Sequence, residues 1–182
     1  HEDVSDRGLH DSTKQIGEKG SYESYQQPWA LTSNTPFRKH KLYPFEGGIA
    51  SPFILYNPLT ESSIKKSNFK GHLIDVLPTL LGLIDVEPTP MANKKFLDGE
   101  SIVAALEEER KQRLKPLFFE YARRKAVIDN NWKLLSDTDG EWYLYDIDQD
   151  RSEQFDLKSE NPEKFTKMHA MYYTWATEVG AH

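Results

Sequence analysis

One lysine and a pair of glycines make the clearest chemical pattern in this sequence. Lys41 stands shortly before Glu46-Gly47-Gly48, where a polar, aromatic-rich loop enters the apolar run Ile49-Ala50-Ser51-Pro52-Phe53-Ile54-Leu55-Tyr56. Glycines permit a sharp turn and close backbone approach. Open α/β sheets place ligands in crevices at strand ends. An ammonium there is a compact point charge suited to a tetrahedral oxyanion such as phosphate or sulfate. A lysine in a polar loop is equally an ordinary solvated residue, and composition and spacing do not separate the two readings.

Other candidate chemistry is weaker. Asp146, Asp148 and Asp150 alternate as at the start of a calcium loop, but Arg151 and Leu157 stand where an EF-hand needs its glycine and its bidentate glutamate. They read as a polar turn. The six histidines show no paired spacing that would put two imidazoles on one metal. With no cysteine there is no disulfide, thiolate metal site or cysteine nucleophile in these residues, and no phosphate loop or nucleophile elbow occurs.

The elements expected to position Lys41 follow from hydrophobic pattern. Residues 1–45 are loop-rich. Ile49 to Tyr56 reads as a buried strand of a parallel sheet, because it is apolar at nearly every position. His72 to Leu83 reads as a helix whose Leu73, Leu77, Leu80 and Leu81 share the inward side, kinked or restarted at Pro78. Pro88, Pro90 and Asn93-Lys94-Lys95 interrupt regular structure, and a second helix is expected over 99–110 with Ile102, Ala105 and Leu106 inward.

After a basic boundary at Lys111 to Lys115, strands are expected at 116–121, 126–128, 132–135 and 142–147. The turns Asp129-Asn130-Asn131 and Asp139-Gly140 are too short for crossovers, so these strands form an antiparallel meander. Asn161 and Pro162 open a last helix whose Phe165, Met168, Tyr172 and Trp175 face the meander. Lys65-Lys66 and Arg123-Arg124-Lys125 read as solvated charge. The net charge of -6 argues against nucleic acid or an anionic membrane as partner, and no apolar run is long enough to span a bilayer.

Several segments together resemble bacterial arylsulfatases of the alkaline-phosphatase superfamily. They are Gly20-Ser21-Tyr22-Glu23-Ser24-Tyr25; Ser33-Asn34-Thr35-Pro36-Phe37-Arg38 with Lys41 and Glu46-Gly47-Gly48; Asp75-Val76-Leu77-Pro78-Thr79; Asp98-Gly99-Glu100-Ser101; Trp132-Lys133-Leu134; and Trp142-Tyr143-Leu144-Tyr145-Asp146. Each is weak alone, but they are collinear over nearly the whole chain. The resemblance implies an α+β fold. Residues 1–113 would be the C-terminal segment of an alkaline-phosphatase-like α/β catalytic domain, and residues 114–182 a small antiparallel β-meander packed by a C-terminal helix.

It further implies a parent enzyme, periplasmic or secreted, that hydrolyses sulfate monoesters, sulfated glycans among them. The reaction would use a formylglycine nucleophile and a calcium ion, both supplied by residues outside this chain, with no metal ligand within it. The N-terminal part of the same catalytic domain would be the physical partner, and the chain alone is expected to be inactive and prone to self-association. Only one charged sulfate-binding residue of the family transfers, onto Lys41. Tyr121 stands where many bacterial relatives carry histidine, so it is the candidate substrate-binding residue and a reason for altered alcohol specificity. The alternatives are a phosphodiesterase or phosphonate hydrolase on the same scaffold, or a non-catalytic carbohydrate-binding module whose aromatics stack on sugar rings.

Overall fold

A computed structural model describes residues 27–56, 66–86, 97–106 and 110–181. The segment Gly20 to Tyr25, the breakers Pro88 and Pro90 and the Asn93-Lys94-Lys95 cluster lie outside the described residues. The centre of the fold is an antiparallel meander of β1 (Leu117–Tyr121), β2 (Arg124–Asp129), β3 (Trp132–Ser136) and β4 (Trp142–Asp146), in that spatial order. Two-residue turns set the register. Ala122 and Arg123 close the first hairpin with φ of 49° and 68°, and Asn130 opens the second with φ of 57°, the left-handed geometry that suits tight hairpins.

Strand alternation sends side chains to two separately packed faces. Val127, Leu134 and Leu144 lie under α5 (Pro162–Val179), where Met168, Tyr172 and Ala176 complete a buried cluster flanked by Phe118, Trp132, Trp142 and Trp175. On the other face Leu117, Ala126, Ile128, Leu135 and Tyr145 pack with Ile147 and with Phe45 from the loop region. The expected amphipathic face of the last helix is therefore present, and both Trp132 and Trp142 are half-buried beside it. Asn161 occupies the N-cap position, but its side chain donates to the Leu157 carbonyl and does not cap. At the other end Gly180 (φ 72°) terminates the helix by donating its N–H to Ala176.

Five expectations are corrected. Gln27–Ser33 forms a short helix, α1, which buries no residue and so leaves no periodic trace in the sequence. Ile49–Tyr56 is not a buried strand: Glu46–Ile49 forms a single helical turn, α2, and residues 50–56 pair with no strand among the described residues. Ile54 is 89% exposed. An apolar run specifies burial only where neighbouring strands cover it.

The His72–Leu83 region begins with a 3-10 turn, Leu73–Asp75, and restarts as α3 (Val76–Leu83) with Pro78 in its first turn. Its buried residues are Asp75, Pro78 and Thr79, whereas Leu73, Leu77 and Leu80 face outward, because polar anchoring has outweighed the apolar stripe. The next helix, α4 (Val103–Leu106), begins at Val103 and not at Gly99, with Ala105 buried. Lastly, Arg124 is not solvated; it is buried against Asp137 at 2.9 Å and lies over the Tyr43 ring.

Because Met168 is fully buried, Met168→Ala is expected to destabilise the chain by about 2–5 kcal/mol. Leu114→Ala, at an exposed position, should change stability by less than about 0.5 kcal/mol. Thermal melts of the two variants followed by circular dichroism check this. Equal melting temperatures would contradict the packing of α5 on the sheet.

Candidate functional site

Lys41 sits on a loop that the following turn holds closed. Gly47 donates its N–H to the Arg38 carbonyl at 3.0 Å, and Asn34 donates from Nδ2 to the carbonyls of Gly47 (2.9 Å) and Lys39 (3.1 Å). A Cβ at Gly47 would strike the Arg38 and Lys39 carbonyls, and one at Gly48 would strike those of Tyr43 and His40. The sequence argument for close backbone approach at these glycines therefore has a definite partner: the Lys41 loop itself. Lys39 (φ 64°) and Leu42 (φ 87°) both adopt left-handed backbone on either side of Lys41. For bulky side chains that conformation costs energy and persists only where surrounding contacts enforce it.

The enforcing contacts are electrostatic. Glu46 is buried, and Lys133 from the centre of β3 donates to its Oε1 at 2.9 Å while facing Glu153 Oε1 at 2.7 Å. Glu153 in turn accepts the Glu46 N–H at 2.8 Å. Arg151, exposed at the rim, reaches Glu46 Oε2 at 3.3 Å and lies over Phe37. Arg38 donates to the Glu153 carbonyl and stacks on Phe45.

Burial pushes the Glu153 carboxyl above the ordinary range, against the pull of Lys133. Burial likewise pushes the Tyr145 hydroxyl, beside Arg38, up to about 12. The loop is thus clamped to the sheet by charges inside, and Lys41 is left exposed, with no side-chain bond or ion pair among the described residues.

Tyr121, at the end of β1, is exposed. It shares the Phe119 side of the strand and is in register with Arg124. Arg124 lies 4.3 Å over Tyr43 of the lysine loop, so the Tyr121 strand end and the Lys41 loop meet on one face of the sheet. Lys41 and Tyr121 make no direct contact. His40, which sequence reasoning set aside, has a buried Nε2 without a hydrogen-bond partner among the described residues and packs edge-on against Tyr43.

The carboxylates of the acidic turn are engaged by protein partners. Asp146 accepts from Asn131 and from the amides of Asp148 and Gln149, Asp150 accepts from the amides of Gln154 and Phe155, and Asp148 pairs with Lys70. Among the described residues no group of three acidic or imidazole side chains is arranged to hold a metal.

A second polar lock joins two of the sequence motifs. Asp75 accepts from Arg113 through both oxygens, from the Glu100 N–H at 2.9 Å and from the His72 N–H at 2.7 Å. Thr79 Oγ1 accepts from the Ile102 N–H, and a Cβ at Gly99 would strike the Ile74 carbonyl. Burial works to raise the Asp75 pKa, but the hydrogen bonds from Arg113, Glu100 and His72 outweigh it and hold the carboxyl below its ordinary value. The roles of Asp75-x-x-Pro78-Thr79 and Asp98-Gly99-x-Ser101 are to bind each other.

The sequence is similar to those of known sulfatases. The sequence is 27% identical over 184 aligned positions to an uncharacterized sulfatase of Schizosaccharomyces pombe, covering 93% of this chain and 32% of that protein. It is 30% identical over 154 positions to a sulfatase of Formosa agariphila, covering 74% of this chain and 27% of the relative. The chain is homologous to sulfatases. An arylsulfatase of Klebsiella aerogenes is 33% identical over 81 positions, 44% of this chain and 18% of the enzyme. The chain therefore spans about a third or less of the length of these sulfatases. No family model matches.

Among solved structures, Ps i-CgsB in complex with a neocarrahexaose matches 56% of this chain at 25% identity with a TM-score of 0.49, over 23% of its own length. BT4656 in complex with D-glucosamine-2-N,6-O-disulfate matches 57% at 23% identity with a TM-score of 0.43, also over 23% of its length.

Within this sulfatase homologue, sequence reasoning singled out Lys41 and the glycines and assigned no role to Lys133, Glu153 and Arg38, which hold the loop. A lysine inside the apolar strand Trp132-Lys133-Leu134 was the available signal for the first, and the resemblance segment ending at Arg38 for the third; Glu153 left none.

Lys133→Met is expected to cost about 3–5 kcal/mol, because it strands two buried carboxylates. A carboxyl whose folded pKa is raised binds more protons folded than unfolded, so its contribution falls as pH rises from the unfolded value through the folded one. The stability lost in Lys133→Met should therefore shrink on acidification through that window, as measured by urea melts at several pH values. Asp75 has the opposite sign. Its lowered pKa gives stability present above the unfolded value and lost as pH falls through the folded one, and in Asp75→Asn that acid-labile portion should disappear from the pH profile.

Proposed function

We propose that the chain is the C-terminal portion of an enzyme that hydrolyses sulfate monoesters, with Lys41 as its sulfate-binding cation. The observation that carries this is the pairing of sulfatase homology across 93% of the chain with an exposed ammonium on a loop held in left-handed backbone by buried charges. In this reading an ammonium carried on a backbone held in this way reaches the sulfuryl oxygens and stabilises negative charge that grows on them in the transition state. Tyr121, on the same face of the sheet, offers a phenol toward the alcohol portion of the substrate and belongs to specificity. A sulfated glycan fits this substrate class.

The formylglycine nucleophile and the calcium ion belong to the same proposal and would be supplied by residues outside these 182, since no group of three acidic or imidazole side chains among the described residues is arranged to hold a calcium ion. The partner in this reading is the N-terminal part of the catalytic domain, which would cover the exposed Phe53, Ile54, Leu73 and Leu77. The chain by itself is inactive in this reading, and the same uncovered surface is what would drive it to self-associate.

In the complete enzyme, Lys41→Ala should lower turnover by about 10²-fold or more, the scale of losing one preorganised donor. Its stability should change by about 0.5 kcal/mol or less, since the residue is exposed. Lys41→Arg should rescue poorly, because a planar fork does not replace a compact ammonium. Steady-state kinetics on a sulfate ester beside a melting curve decide it, and turnover within a few-fold of the parent would remove Lys41 from the site.

A further inference from the structure

The triplet Arg123-Arg124-Lys125 has only one member accounted for. Alternation along β2 sends Arg124 to the lysine-loop face, where Asp137 and Tyr43 take it up. Lys125 is sent to the helix face, in a row with Ser136 and Trp142. Arg123 stays exposed at the left-handed turn between β1 and β2. Arg123 and Lys125 flank a cleft of about 240 Å³ lined also by Trp142, Tyr173 and Asp137. Neither cation forms an ion pair among the described residues, and the Asp137 carboxylate is already held by Arg124 at 2.9 Å.

Across the cleft Tyr173 is 46% exposed and Trp142 half-buried, with His169 packed between them at 5.0 Å from Trp142 and 4.8 Å from Tyr173. Lys125 Nζ stands 5.6 Å from the Tyr173 ring. The cleft therefore presents an aromatic wall and two cations; the carboxylates nearest them are already engaged, Asp137 by Arg124 and Glu120, which lies opposite Lys125 in the sheet register, by the Tyr172 hydroxyl.

We propose that this cleft binds an anionic saccharide, with the sugar ring against Tyr173 and Trp142 and its acidic substituent between Arg123 and Lys125. Aromatic faces accept the apolar C–H face of a sugar ring while their polar edges stay wet. A guanidinium and an ammonium together suit a sulfate or carboxylate substituent. Two cations on a chain of net charge -6 are too few to hold a nucleic acid backbone. The site lies on the helix face of the sheet, opposite the Lys41 loop, and does not depend on the hydrolytic reading.

The test is isothermal titration of the 182-residue chain with four probes: a sulfated disaccharide, a uronic-acid disaccharide, a neutral disaccharide and inorganic sulfate. Binding of one or both charged disaccharides, with no detectable binding of the neutral one, is expected, and which of the two binds identifies the substituent. Tyr173→Ala and Arg123→Gln, both at exposed positions, should each raise the Kd about tenfold, equivalent to about 1.4 kcal/mol. Lys41→Ala should leave it unchanged.

Four results would each overturn the proposal. They are no binding of either charged disaccharide, equal binding of the neutral one, inorganic sulfate binding as tightly as the sugars, and binding that survives both cleft variants or is lost in Lys41→Ala.

Discussion

A single ammonium placed between two buried carboxylates governs how this protein is assembled. Lys133 projects from the middle of the sheet into a site with no exposed surface, and it meets Glu46 from the loop region and Glu153 from beyond β4. Removing three charges from water is costly, and their mutual attraction repays the cost only when geometry and hydrogen bonding are complete. That requirement is strict: if Glu46 moved away, Lys133 and Glu153 would be left with imperfect partners in a dry interior. The loop carrying Lys41 is therefore positioned by a penalty on every other position and not by attractive packing alone.

The sheet divides its two faces between different kinds of interaction. Under α5 the contacts are almost entirely apolar and aromatic, with the Tyr172 hydroxyl donating to Glu120 as the main polar exception. On the loop face an apolar cluster around Phe45 is ringed by Lys133, Arg38, Arg124 and Arg151. Non-directional burial suffices to hold a helix against a sheet. An irregular loop has no repeating backbone bonds of its own, so it depends on directional partners, and charged ones are the strongest available.

Polar anchoring also explains the segment between loop and sheet. Asp75 gathers Arg113 and the amides of His72 and Glu100 at the start of α3, joining residues far apart in sequence. Orienting the helix to satisfy that carboxylate turns Leu73 and Leu77 outward. The apolar stripe that periodicity assigned to a core is surface here, because an unsatisfied buried carboxylate costs more than a few exposed leucines.

The sequence by itself determined the parts whose physics is local. The meander was legible from short turns between alternating strands, since Asn130 and Gly140 accept the left-handed backbone of a tight turn regardless of what surrounds them. So was α5, from Pro162 at its start and an aromatic face at helical spacing. Lys41 and its glycines could be singled out for the same reason. Only the tertiary structure decided what contacts between distant residues decide. Lys133 in a strand reads as an outward charge until Glu46 and Glu153 are brought to it, and Arg124 reads as solvated until Tyr43 and Asp137 close over it. Residues 50–56 read as a buried strand although no described strand pairs with them. Hydrophobic pattern records which residues favour burial, but the location of a buried charge depends on a partner whose position only the folded chain supplies.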